Sequence, residues 1–162
     1  MVWIAILFIL PAWITNISFN ILGFITRRFH IKDYPVDFGK NFFDNRRIIG
    51  DSATIYGIFV GLIVGSLVGY LQGRLLIGFL MGIGSYCGHS LGSFIKRRFG
   101  FRSGQFFPVL DHTDYVIFSL ILISIFIGIS LQMAITIFII TLALHPLACL
   151  IGYWLGIKRS PW

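Results

Sequence analysis

Three observations predict an all-α integral membrane protein with five transmembrane helices. Of 162 residues, 57% are hydrophobic and only 12% are charged, against about 25% charged in soluble domains. Residues 1–26, 52–73, 75–95 and 115–157 contain no Asp, Glu, Lys or Arg. These runs also lack the period-two alternation of a membrane barrel. Helices, which satisfy their own backbone polar groups, are therefore the expected spanning form. A single transmembrane domain covering 1–162, with no separate soluble domain, is the expected organisation.

The first helix is placed near 3–26. It has no basic leading region and its apolar stretch is longer than that of a signal peptide, so it reads as a retained span. The second and third helices fall near 52–71 and 75–95, divided by Arg74. Residues 115–157 hold two spans at roughly 20 residues per crossing. Polar residues cluster at Gly128-Ile129-Ser130-Leu131-Gln132, which sets the break there. A break at His145-Pro146 would leave the last helix too short. The fourth and fifth helices are thus near 112–129 and 133–157. Residues 27–51 and 96–111 form the two long connections.

The basic residues orient the bundle. The first connection carries Arg27, Arg28, Lys32, Lys40, Arg46 and Arg47; the third carries Lys96, Arg97, Arg98 and Arg102; the tail carries Lys158 and Arg159. Only Arg74 lies on the other side. The positive-inside rule then predicts an N-terminus outside, a cytoplasmic C-terminus and two cytoplasmic functional loops. Of the net charge of +7, all but the charge of Arg74 belongs to this face. It suits anionic headgroups, and no nucleic-acid partner is expected.

Gly57, Gly61, Gly65, Gly69 and Gly73 repeat every four residues, and Gly84, Gly88 and Gly92 do the same on the third helix. Residues four apart share a helix face, and small residues let helix backbones approach in lipid. The ladders serve either packing within one chain or a homodimer. Cys87 and Cys149 fall inside predicted helices without disulfide or metal spacing, and read as small packing residues.

All six acidic residues are aspartates: Asp33, Asp37, Asp44, Asp51, Asp111 and Asp114. Each lies in a predicted cytoplasmic connection or at the following helix start. Charge-topology rules barely constrain acids, so this segregation points to chemistry. Asp111 and Asp114 have two compatible readings. One is capping of the fourth helix, with Asp111 as N-cap and Asp114 at N3. The other is an oxygen-donor pair for a hard cation such as Mg²⁺. His89, Ser93, Lys96 and Arg97 form a polar stripe on the third helix, and Arg98 adds another anion donor. In "YPVDFGKNFFDNRRIIGDS", residues 34–52, turns are expected at Phe38-Gly39 and Asp44-Asn45, and Asp51 is expected to cap the second helix. Its alternating Asp37, Lys40, Asp44, Arg46, Arg47 and Asp51 suit a ligand-binding loop.

The runs "PVDFGKNFFDNRRIIGDS" (35–52), "GSFIKRRFGFRSGQFFPVLDHTDY" (92–115) and "GIKRSPW" (156–162), with "PAWITN" (11–16), resemble the CDP-archaeol synthase family, within the wider CDP-diglyceride synthetase group. The resemblance covers nearly the whole chain. It implies Mg²⁺-dependent transfer of CMP from CTP to an unsaturated archaetidic acid, an isoprenoid ether-lipid phosphate, at the cytoplasmic face of the cell membrane. It implies catalytic and metal roles for Asp111 and Asp114, with Lys96 beside them. It implies that Ser93, Lys96 and Arg97 hold phosphates and that Asp37, Lys40, Arg46, Arg47 and Asp51 frame the CTP site; Arg98, next in the basic run, is a further substrate-binding candidate.

The chain departs from the family pattern at His89, where an aspartate is usual, which makes His89 a further candidate ligand. It departs also at Ala53, usually lysine, at Tyr56, usually arginine, and at His112-Thr113. Two other classes compete. A small transporter or channel subunit would use glycine-rich helices, but the chain shows no inverted repeat. A haem carrier on His89 and His145 would need the two histidines level in the membrane, and the predicted helices set them at different depths.

Overall fold

A computed structural model describes residues 1–102, 105–107 and 109–161. Five helices run in chain order: α1 (Val2–Arg28), α2 (Ile55–Leu71), α3 (Leu75–Arg98), α4 (Leu110–Phe126) and α5 (Leu131–Trp154). Three of them, α1, α3 and α5, are long and apolar enough to cross a membrane. Among the described residues there is no strand, only the isolated bridges Pro35–Thr54 and Asn41–Arg47.

The boundaries differ from expectation at physically interpretable places. The third helix continues to Arg98 because Lys96, Arg97 and Arg98 suit the negative end of a helix dipole. It stops at Gly100, whose φ of +80° closes a Schellman turn: Gly100 N–H donates to Arg97 O and Phe101 N–H to Lys96 O. The second helix starts at Ile55 rather than 52. Its N-cap is Thr54, whose hydroxyl accepts from Gly57 N–H, so Asp51 does not cap it. The fourth helix has Val109, not Asp111, at its N-cap position, and Asp111 lies in its first turn. Helix α5 ends at Trp154, three residues early. Gly156, at φ +72°, turns the tail back there.

Helix α3 is the centre of the bundle. It packs on α2 through facing glycines. A Cβ on Gly65 would lie 2.6 Å from Gly78 O, and one on Gly69 would lie 2.6 Å from Gly78 Cα. On its other side a Cβ on Gly84 would meet Ser119 Cα of α4 at 2.5 Å, and one on Gly88 would meet Tyr115 Cα at 2.7 Å. Gly57, Gly61, Gly65 and Gly69 of the second-helix ladder, and Gly84, Gly88 and Gly92 of the third, are thus covered from within the chain, while Gly73 is open. The core joins Ala5, Ile9 and Ala12 of α1 to Met81 of α3, Tyr115, Val116 and Ile123 of α4, and Ile137 of α5. Outward side chains such as Ile63, Leu67, Ile125 and Ile139 are apolar and exposed, as lipid contact requires.

Hydrogen bonds gather the basic segments at one end. Arg27 at the end of α1 donates to Ile157 O of the tail. Arg46 donates to the carbonyls of Arg97 and Arg98. At the opposite end Gln72 donates to Leu7 O, 2.8 Å.

Candidate functional site

The first long connection is built around one buried carboxylate. Asp37 accepts from Arg47 Nη2 at 2.7 Å, from the backbone N–H groups of Ile49 and Gly50 at 3.0 and 2.8 Å, and from Gly39 N–H at 3.0 Å. Its side chain is 0% exposed. Burial opposes its charge, but Arg47 and these N–H groups outweigh that and hold the carboxyl well below the usual carboxylate range. The same pairing pushes the Arg47 guanidinium up. The expected turns are present: Phe38 and Gly39 take φ of 46° and 79°, and Asn45 takes 59°. Between them Phe42 N–H donates to Arg46 O and Ile48 N–H to Lys40 O, making a small hairpin.

This hairpin docks on the end of α3 through arginines. Arg98 donates to Arg47 O and pairs with Asp44 at 3.0 Å. Its guanidinium also lies over the rings of Phe42 and Phe94, at 5.0 and 4.6 Å. Arg97 is buried beneath Gly50 and donates to Ile49 O and Phe101 O. Gly50 has φ +104°, and a Cβ there would lie 2.9 Å from Arg97 Nη2, so the position needs glycine twice over. Asp37 ties the first connection to itself, while Arg46, Arg97 and Arg98 join the first connection to the end of α3. Lys40 starts the hairpin, and Arg47 also reaches Asp51 at 3.1 Å.

Beside this scaffold opens a cavity of about 620 Å³, within the range of small-molecule sites. Helix α1 contributes Asn16, Phe19, Asn20 and Arg27; the first connection contributes Asp33, Asp51, Ser52 and Thr54; α3 contributes Tyr86 and His89; the tail contributes Lys158 and Arg159. Carboxylates, amides, hydroxyls and cations thus share one open space with the apolar side chains of Leu22, Ile31 and Ile157. Tyr86 is fixed by a hydrogen bond to Thr54 O, 3.1 Å, and His89 leans on Phe19.

Of the site residues expected from sequence, Asp51 and His89 line this cavity directly. Ser93 stands one step behind, its hydroxyl 3.0 Å from that of Ser52. Asp111 and Asp114, at the start of α4, are not among the residues that line the cavity. Lys96 Nζ holds both oxygens of Asp111, at 2.9 and 2.8 Å, and Phe107 N–H donates to Oδ2. Asp114 is buried in the notch left by Gly88 and Gly92, its carboxylate against Gly92. It feels the charges of His89, Asp111 and Lys96. Sequence reasoning did not single out Asn16, Asn20, Asp33 or Tyr86 as site residues. The α1 asparagines carried a readable signal, since amides inside an uncharged span need partners.

A profile of the CarS-like, CDP-archaeol synthase family matches residues 1–77 and 74–162. A CDP-archaeol synthase of Methanopyrus kandleri is 38% identical over 96% of this chain and 90% of its own length. One from Methanocaldococcus jannaschii is 35% identical, covering 96% and 94%. A solved structure of an intramembrane enzyme for archaeal membrane lipids biosynthesis superposes with a TM-score of 0.71 at 30% identity, covering 91% of this chain and 94% of that one. From its first residues to its tail, this membrane chain belongs to the CDP-archaeol synthase family.

Proposed function

We propose that this protein transfers CMP from CTP to an unsaturated archaetidic acid, giving a CDP-archaeol and pyrophosphate. Family membership sets the reaction class. The observation that carries it to particular residues is the 620 Å³ cavity, where Asp33 and Asp51 meet Lys158 and Arg159 beside apolar side chains. An oxygen of the lipid phosphate attacks the α-phosphorus of CTP. The bond from that phosphorus to the bridging oxygen of the β-phosphate breaks, and pyrophosphate leaves. The lipid phosphate is already ionised at neutral pH, so no side chain has to remove a proton. The chain's work is positioning and charge neutralisation.

Lys158 and Arg159 of the tail, with Arg27, face the phosphates at the cavity edge. Asn16, Asn20 and Tyr86 offer the uncharged hydrogen bonds a nucleoside needs. Asp37, Lys40, Arg46, Arg47, Arg97 and Arg98 keep the cavity's loop wall in place. The donor chemistry fits magnesium, which takes oxygen ligands. Asp111 and Asp114 would hold it at the start of α4, and Asp33 and Asp51 would do so from the cavity side. A magnesium ion held there would neutralise phosphate charge and polarise the α-phosphate. Lys96 pairs with Asp111. Released from it, Lys96 would meet charge developing on the leaving group.

Five spans and a cytoplasmic site complete the reading. Helices α2 and α4 have 17 residues each, or about 26 Å at ~1.5 Å per residue, close to the hydrocarbon thickness of roughly 30 Å. The basic residues at one end put that end in the cytosol, where CTP is met.

The test supplies purified protein with magnesium, digeranylgeranylglyceryl phosphate and CTP labelled at the α-phosphate. Label should pass into organic solvent, and β-label should stay in water as pyrophosphate. Asp51→Asn should lower transfer at least tenfold. Absence of lipid-soluble label with any lipid phosphate, alongside solute flux in vesicles without nucleotide, would replace this reading with a transporter.

A further inference from the structure

Away from the cavity's acids, three soft or borderline ligands converge on the seam between α4 and α5. His112 lies in the first turn of α4; His145 and Cys149 lie one turn apart on α5. One ring nitrogen of each histidine and the Cys149 sulfur all fall within 4.8 Å of one another. We propose that His112, His145 and Cys149 form a binding site for a borderline-soft divalent metal of the zinc class, distinct from the magnesium used in catalysis.

Four observations carry this. Cys149 Sγ and His145 Nε2 are 3.3 Å apart. Two ligands of one tetrahedral zinc sit about 3.3–3.8 Å apart, given bonds near 2.3 Å to sulfur and 2.0 Å to nitrogen. The i, i+4 spacing puts both on one helix face without rearrangement. His145 Nδ1 is in hydrogen bond with the Tyr115 hydroxyl at 3.2 Å. That outer contact occupies Nδ1 and turns Nε2 toward the sulfur, the usual second-sphere arrangement of a ligating histidine. Finally, His112 is 8% exposed, and its Nδ1 is buried with no hydrogen-bond partner among the described residues. A buried polar atom without a partner is costly, and metal binding in the cluster would order this ring.

The site already attracts a cation. Lys158 Nζ donates to Cys149 Sγ at 3.0 Å. A metal would take the ammonium's place: the thiol would pass its proton to water, the sulfur–metal bond would form, and Lys158 would be released to the cavity that it also lines. Thiolate and imidazole select zinc-class ions, while magnesium prefers oxygen. The metal would also pin α5, which has only Ile137, Thr141 and Cys149 buried among its described residues.

The experiment is cobalt(II) titration of metal-stripped, detergent-purified wild-type protein. One equivalent per chain should give the intense visible bands of tetrahedral cobalt and a thiolate charge-transfer band. Zinc should abolish them and a large excess of magnesium should not. Cys149→Ser should remove the charge-transfer band, Cys87→Ser should retain it, and His112→Gln should weaken cobalt binding at least tenfold. Zinc should also raise the melting temperature of the wild type and not that of Cys149→Ser. The wild-type spectrum needs no variant to fold. If that spectrum shows only weak octahedral bands, or if Cys149→Ser keeps the charge-transfer band, the site does not exist.

Discussion

Lys96 and Asp111 form a two-pronged ion pair, with Nζ 2.9 Å from Oδ1 and 2.8 Å from Oδ2. The pair joins the end of α3 to the start of α4, and both side chains are mostly shielded, at 12% and 22% exposure. A lone structural bridge and a catalytic pair predict different things. As a bridge, its loss would lower stability and leave turnover per folded molecule unchanged.

For the catalytic pair, Asp111→Asn should lower CMP transfer by about a hundred-fold, the scale of losing one charge-stabilising group in a reaction site. The magnesium concentration for half-maximal activity should rise in the same variant. Lys96→Met should also slow transfer, and the double variant should be no slower than the worse single one, because the two act as one unit. Insertion and gel-filtration behaviour should match the wild type. Wild-type kcat in folded Asp111→Asn protein returns the residue to helix-end architecture.

Asp37 and Arg47 make the second prediction. The carboxylate is fully enclosed and takes charged and backbone donors together. Asp37→Asn should cost about 2–3 kcal/mol, the range for hydrogen bonds to a charged group, since Arg47 is still partly solvated. The pH dependence follows from the lowered folded-state pKa. Stabilisation is complete above the unfolded carboxylate value of about 3.9. It declines below that and is gone once pH passes under the folded value. The melting-temperature gap between wild type and variant should therefore be flat from neutral pH to about pH 4 and narrow only in stronger acid. A gap that closes near pH 6 would mean another group stabilises the loop.

Helix number, the break between the last two helices and both turns of the first connection were legible because each has a local cause: apolar length, a polar cluster, glycine or Asx chemistry. The partners of the charged residues were not. Arg97 and Arg98 read as phosphate donors in sequence, and no sequence pattern announces their contacts with the carbonyls of Ile49, Phe101 and Arg47 and the carboxylate of Asp44, set by the tertiary meeting of two connections. Cys149 reads as packing because His112 is 37 residues away, and only the α4–α5 seam unites them. Lys158 moved for the same reason. A tail that turns back at Gly156 brings its ammonium to a sulfur nine residues earlier.

The glycine faces supply a third prediction. At Gly65 a Cβ would lie 2.6 Å from both Gly78 O and Gly82 Cα, which are backbone atoms of α3 and cannot rotate away. Gly65→Val should therefore push α2 off α3 and destabilise by the upper part of the overpacking range, about 3 kcal/mol or more. At Gly73 a Cβ would meet nothing within 4 Å, and φ is +68°. Gly73→Asn should be nearly neutral, because asparagine tolerates that backbone. Thermal unfolding of both in one detergent checks the contrast. Equal losses would mean that backbone freedom, and not close approach, explains the ladder.

His89 provides the last. It lines the cavity and leans on Phe19, at the position where the sequence resemblance leads one to expect an aspartate. An imidazole is a poor partner for magnesium and a carboxylate is a good one. His89→Asp should therefore lower the magnesium concentration for half-maximal transfer by about tenfold, or ~1.4 kcal/mol of added metal affinity, with the KM for lipid phosphate unchanged. The shift should vanish when Asp114→Asn is added, since the two carboxylates would then no longer share an ion. Magnesium dependence of initial rates in the four proteins measures the coupling directly. If His89→Asp instead weakens CTP binding with the magnesium requirement unaltered, the imidazole contacts nucleotide, and the metal in this chain lies elsewhere along the cavity's acids.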